Sequence, residues 1–173
     1  ITPAPMNVRT RVNEYGGKCF ALVDNQLVFN NYADNRLYIQ DLDGQALPRA
    51  LGETRSAKES DVTPGCLGYA DLVAVAGSQW FLAVAEYARQ GNENLSMLVA
   101  INLDSGVQTE VARGADFYAC PAVSPDGRSL AWMEWDHPNM PWDQSRLVST
   151  TLEIEGEHLH VDAPVVLLDK ANT

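Results

Sequence analysis

The chain has 173 residues, 46% of them hydrophobic, enough to build the core of one ordinary domain. Its 12 Lys and Arg against 23 Asp and Glu leave a formal charge of −11, which argues against a nucleic-acid backbone or an anionic membrane as main partner. Apolar runs such as 72–76 and 80–85 are far too short to span a bilayer. Cys19, Cys66 and Cys120, odd in number and without a CxxC pair, fit a reducing, cytoplasmic setting rather than a disulfide framework.

The first unusual stretch is 7–17, where Arg9, Arg11 and Glu14 are spaced for pairing on one face and Gly16-Gly17 permits a tight bend. Residues 20–23, a turn at Asp24-Asn25 and residues 27–30 read as a hairpin. Residues 37–42, closed by Asp43-Gly44, give another strand and turn. Residues 54–61 are the single helix candidate, although their charge and Ser content suit a surface loop equally. Residues 98–103 followed by Asp104-Ser105-Gly106 repeat the strand-and-turn form.

Ser124-Pro125-Asp126-Gly127 is the clearest turn, since Pro presets one φ and Gly accepts a positive one. It launches residues 130–135, with Leu130 and Trp132 facing one way and Ala131, Met133 and Trp135 the other. Apolar groups on both faces predict a strand buried between two layers. The two prolines of 136–143 (Asp136-His137-Pro138-Asn139-Met140-Pro141-Trp142-Asp143) forbid ladder pairing and force a loop. Its structural reading is a rigid connection pinned by a buried Trp142, whose replacement by Ala would then cost about 3–5 kcal/mol. Its functional reading is a recognition surface. Near the end, residues 152–154, a turn at Glu155-Gly156-Glu157, and Leu159 with Val161 form a last hairpin.

Weak repetition decides the architecture. Residues 36–44 line up with 97–106, and 145–156 form a looser third copy; Leu42, Leu103 and Leu152 stand 61 and 49 positions apart. Spacings near ~40–50 residues with four strands each are those of propeller blades, whereas a sandwich would need no such repeat. The expected fold is therefore all-β: a partial propeller of about three four-stranded antiparallel blades in an incomplete ring, since closed rings have roughly four to eight. Together with the start at Ile1, that count predicts a fragment of a longer propeller.

Chemistry is sparse. No GxSxG occurs, so there is no nucleophile elbow. His158 and His160 share one strand face near Glu157 and Asp162, but no third metal ligand is specified, and an exposed edge hairpin is the plainer reading. Glu134 and Asp136 are spaced for one face as in a glycosidase pair, yet sequence supplies neither the separation nor the apolar setting that acid–base work needs. No cofactor is expected.

The run Val8-Arg9-Thr10-Arg11-Val12-Asn13-Glu14-Tyr15-Gly16-Gly17 resembles the early propeller signature of the prolyl oligopeptidase family of serine peptidases. The nearer branch is that of acylaminoacyl peptidases and dipeptidyl aminopeptidases. Asp116-Phe117-Tyr118-Ala119, Pro121, Ser124-Pro125-Asp126-Gly127, Leu130-Ala131-Trp132 and 136–143 follow in order, so the resemblance covers most of 7–147. Lys18, Gly68 and Ala122 depart from that pattern locally.

The resemblance implies an N-terminal propeller that caps a C-terminal α/β-hydrolase domain and limits access to oligopeptides. It places residues 1–173 inside that propeller, with the catalytic domain outside the chain and no catalytic residue to carry over. Arg9, Arg11, Glu14, Tyr15, Asp136, His137, Pro138, Asn139, Trp142 and Asp143 are its structural or interface candidates. The expected partners are the hydrolase domain and oligopeptide substrates, with no nucleic acid and no membrane; the sequence assigns no oligomeric state. The alternative is a stand-alone binding or scaffolding propeller that completes its ring with another chain.

Overall fold

The computed structural model describes residues 2–51, 62–89 and 93–169; the helix candidate at 54–61 lies outside them. The described residues contain strands and no helix. They form three antiparallel sheets, none closed into a barrel, which together make a partial propeller. The first sheet runs β1 (Phe20–Val23), β2 (Gln26–Asn31), β3 (Arg36–Asp41), β4 (Arg49–Ala50). The second runs β5 (Val62–Ala74), β6 (Trp80–Arg89), β7 (Leu95–Asn102), β8 (Gln108–Ala112).

The third sheet contains β9 (Phe117–Val123), β10 (Ser129–Trp135), β11 (Arg146–Glu155), β12 (His158–Val161) and β13 (Val165–Asp169). β12 pairs with 152–155 and β13 with 146–149, so the two follow one another along β11 as halves of a single outer strand. The first strands adjoin, β1 against β5 and β5 against β9. Each sheet is thus a blade of consecutive hairpins, and short polar turns fix its register.

The middle blade shows why the sheets stack. Along β6 the side chains alternate, and both faces are apolar. Phe81, Ala83 and Ala85 pack with Val28, Leu37 and Ile39 of the first blade. Trp80, Leu82 and Val84 pack with Tyr118, Leu130, Trp132 and Val148 of the third. One strand therefore feeds two cores, a consequence of the two-residue period. The expectation that β10 is buried on both faces is met in part: Leu130 and Trp132 are buried on one face and Trp135 on the other, but Ala131 and Met133 are partly exposed, and no described residues form a sheet beyond them.

The Ser124–Gly127 turn links β9 to β10 within the third blade and lies against Ala76 of the second. Gly127 N–H donates to the Ser124 carbonyl at 2.9 Å. Gly127 has φ +73°, and a Cβ there would meet the Ala76 carbonyl oxygen at 2.8 Å. Asp126 Oδ1 accepts from the Ser124 hydroxyl at 2.6 Å and the Arg128 N–H at 3.1 Å.

Candidate functional site

The 7–18 segment is a strap across all three blades. Val8 bridges to Asn31 of the first blade. Asn30, fully buried, donates from Nδ2 to the Arg9 carbonyl at 2.7 Å and accepts at Oδ1 from the Tyr69 N–H at 3.1 Å, tying strap, β2 and β5 together. Asn13 Nδ2 donates to the Tyr118 carbonyl on β9 at 3.2 Å. Asp71 closes the joint, its carboxylate accepting from Lys18 N–H at 3.0 Å and Cys120 N–H at 2.9 Å. Buried amides and carbonyls are costly to leave unpaired, so the Asn30 and Asn13 bonds fix the blades' relative placement, and the more exposed Asp71 bonds add to them.

The strap reverses at Asn13 and Glu14, both left-handed with φ of 55° and 66°. Gly16 completes the bend at φ +87°, where a Cβ would sit 2.9 Å from the Thr10 carbonyl oxygen. That reversal breaks the alternation which was to pair Glu14 with Arg9 and Arg11, and no ion pair joins them among the described residues. Both guanidiniums lie instead over the Tyr32 ring, 5.1 and 5.5 Å from its centroid.

The 136–143 loop is held by polar ties, not by its tryptophan. Asp136 accepts from Asp116 N–H at 3.0 Å, while Asp116 accepts from His137 N–H at 2.9 Å. Arg146 spans Asp136 Oδ2 at 2.7 Å and Glu134 Oε1 at 3.1 Å, and Glu134 also accepts from the Trp132 indole N–H at 2.9 Å. One guanidinium thus occupies both carboxylates of the would-be glycosidase pair. The His137–Pro138 peptide is cis.

Asn139 N–H donates to the Asp136 carbonyl at 3.0 Å, and its side chain reaches Gln144 at 3.4 Å. Asp143 accepts from the Met140 N–H at 3.2 Å. Trp142 is 68% exposed, which overturns the expectation of a buried anchor. With the N–H groups of His137, Asn139, Met140 and Asp143 paired, the loop is closed without burying the ring.

Strap and loop converge on a cleft of about 410 Å³. The strap supplies Asn13, Glu14 and Tyr15; the loop supplies His137 and Met140. Glu86 comes from β6, Glu93 and Asn94 precede β7, Asp116 precedes β9, and Phe117 and Trp135 lie on β9 and β10. Phe117 stacks on Trp135 at 5.3 Å and takes His137 edge-on at 4.7 Å. His137 Nε2 lies 2.9 Å from Glu93 Oε2.

Burial pushes the Glu86 carboxyl above its ordinary pKa; a hydrogen bond with Asn94 opposes this, and the nearby Glu14 carboxylate adds to it. Among the described residues, four carboxylates line the cleft and no Lys or Arg does. Of the sequence candidates, only Glu14, Tyr15 and His137 reach it. Arg9 and Arg11 sit at Tyr32, and Pro138, Asn139, Trp142 and Asp143 lie outside. Sequence reasoning missed Glu86, whose signal was a lone acid in the apolar run of β6, and Asp116.

The His158 and His160 rings lie 6.3 Å apart. Among the described residues no group of three or more His, Cys, Asp or Glu is arranged to hold a metal ion, and no helix is long and apolar enough to cross a membrane.

No protein-family model matches the chain, and no curated protein matches it. Solved structures do. A puromycin hydrolase superposes with a TM-score of 0.79 at 29% identity, over 97% of this chain and 26% of its own. A mutant of a puromycin hydrolase complexed with PGG gives 0.80 and 29%, over 98% and 27%. A Mycobacterium tuberculosis puromycin-hydrolyzing peptidase gives 0.75 and 33%, over 98% and 26%. The chain spans about a quarter of the length of these relatives.

Proposed function

With the chain recognised as an N-terminal propeller portion of the prolyl oligopeptidase family, we propose that it is a non-catalytic segment of a cytoplasmic serine peptidase. Its work is to limit the access of oligopeptides to an α/β-hydrolase domain elsewhere in the parent protein. The observation that carries this reading is the match of nearly the whole chain to a quarter of two puromycin-hydrolysing peptidases, at 29–33% identity. The physical logic is exclusion: a rigid cap rejects folded proteins sterically and helps keep the reacting centre from bulk water. Rigidity is supplied by the strap, whose bonds through Asn30, Asn13 and Asp71 leave the blades little freedom to part.

The test uses the full-length parent with peptides of increasing length. Turnover is expected to fall with length and vanish on folded proteins. Asn30→Ala, which loosens the joint between the first two blades, is expected to raise turnover of long peptides relative to short ones. Turnover independent of length, or unmoved in its length profile by Asn30→Ala, overturns the proposal.

A further inference from the structure

We propose that Arg9 and Arg11 form a docking site on the strap for an acidic peptide segment, each guanidinium taking one carboxylate. The site lies apart from the cleft and does not depend on the access reading. In a chain with 23 Asp and Glu against 12 Lys and Arg, an arginine finds a carboxylate readily. Arg146 holds Glu134 and Asp136, Arg113 lies by Glu110, and Arg36 and Arg128 interact with Asp34 and Asp126. Arg9 and Arg11 are exposed, and neither makes an ion pair among the described residues.

Both are nevertheless held in place. Their guanidiniums lie over the half-buried Tyr32 ring, 5.1 and 5.5 Å from its centroid. Tyr32 is itself fixed to the strap, its N–H donating to the Asn7 carbonyl at 2.8 Å. A cation over a ring is held by the ring's π face and spends none of its N–H donors on a hydrogen bond. Among the described residues neither side chain donates one elsewhere. Two like charges beside one ring also repel each other, a cost that an anionic partner removes.

The backbone beneath them is equally fixed. Arg9 N–H donates to the Asn30 carbonyl at 3.3 Å, and the Arg9 carbonyl accepts from Asn30 Nδ2 at 2.7 Å. Thr10 and Val12 are buried, so Arg9 and Arg11, one position off, share the strap's outer side. Little is left to order on binding, which favours affinity. The planar guanidinium fork matches a carboxylate with two parallel hydrogen bonds. A nucleic-acid backbone fits less well, because the net charge of −11 repels a long polyanion. An acidic peptide carries few charges: at physiological salt the chain's other acids are screened beyond about 8 Å, whereas a bidentate contact is not.

The experiment titrates the 173-residue chain with N-acetyl-tetraglutamyl amide at neutral pH and physiological salt, following the Arg9 and Arg11 Nε–H and Tyr32 ring resonances by NMR. The cap removes the peptide's ammonium, so the acidic cleft has nothing to attract. Saturable shifts at all three residues are expected. N-acetyl-tetraglutaminyl amide, the same peptide without charge, is expected to bind at least about tenfold more weakly, as is the glutamyl peptide to Arg9→Gln or Arg11→Gln. Arg11→Lys, which keeps the charge and loses the fork, is expected to weaken binding nearly as much as Arg11→Gln. Both side chains are exposed, and an unchanged Tm is expected to show that each variant is folded. Equal binding of the glutaminyl peptide, shifts located elsewhere, or affinity unchanged in Arg9→Gln and Arg11→Gln overturns the proposal. Inorganic phosphate binding as tightly as the glutamyl peptide also overturns it, since the pair would then be a simple anion site.

Discussion

The strap at 7–18 and the loop at 136–143 carry the two most distinctive sequence runs of the molecule, and they are secured by opposite means. The strap is tied outward: its backbone bonds to side chains of β2 and β5, and its Asn13 bonds to β9, so it cannot shift without parting blades. The loop is tied mostly to itself and to one blade, through Asp143, Asp136 and Arg146, with Trp142 left in solvent. The difference teaches that a signature run rich in Pro and Trp need not be anchored by burial. Prolines cut the conformations the loop can lose, and a few polar ties then suffice. The strap, by contrast, is a seam of the fold, and its last residues together with the loop's His137 and Met140 frame the acidic cleft.

Breaking the strap has the largest expected effect. Asn30→Ala leaves the Arg9 carbonyl and Tyr69 N–H without their partner in a buried joint, at a cost of about 2–4 kcal/mol. Thermal denaturation measures it as a clear fall in Tm. Breaking the loop's main tie costs less. Arg146→Met removes a half-exposed guanidinium from Glu134 and Asp136, and about 1–2 kcal/mol is expected. The loop amides, not those of β2, should then show the chemical-shift changes.

The cleft sharpens the comparison through pH. Because the folded-state pKa of Glu86 is raised above its ordinary 4.5, its contribution to stability is fully present below that value and is lost as pH rises through the folded value. Glu86→Gln is therefore expected to melt above the parent chain at pH 7, and the advantage is expected to disappear below pH 4.5. The smallest effect belongs to the loop's ring: Trp142→Ala should change stability by no more than about 0.5 kcal/mol. A fall of the size of the Asn30→Ala effect would restore the buried-anchor reading.

Most of the strand order was legible in the sequence, because apolar runs ended by Asp-Gly, Asp-Asn or Pro-Asp-Gly state both element and turn. Which strand is buried on both faces was not. Residues 130–135 and 80–85 both carry apolar side chains on two faces, but only the middle blade has a neighbour on each side among the described residues. Sequence records a strand's composition, not its neighbours.

The site was half legible for the same reason. Glu14, Tyr15 and His137 stood within marked runs, whereas Glu86 and Asp116 join them only once three blades have stacked. The left-handed turn at Asn13 and Glu14 also hid the parting of Glu14 from the arginines, since a two-residue period assumes an unbroken strand. Trp142 misled because burial is the common fate of a large aromatic, and its polar neighbours had already closed the loop.

The central claim, that the strap is a seam holding three blades while the loop is a local closure, is most directly tested by native-state hydrogen exchange. The amides of Tyr69, Lys18 and Cys120, which donate to Asn30 and Asp71, should be protected to a degree approaching that of the β6 amides. Those of Met140 and Asp143 in the loop should exchange much faster. Amides at the joint between strap, β5 and β9 that exchange as freely as the loop's would contradict the account.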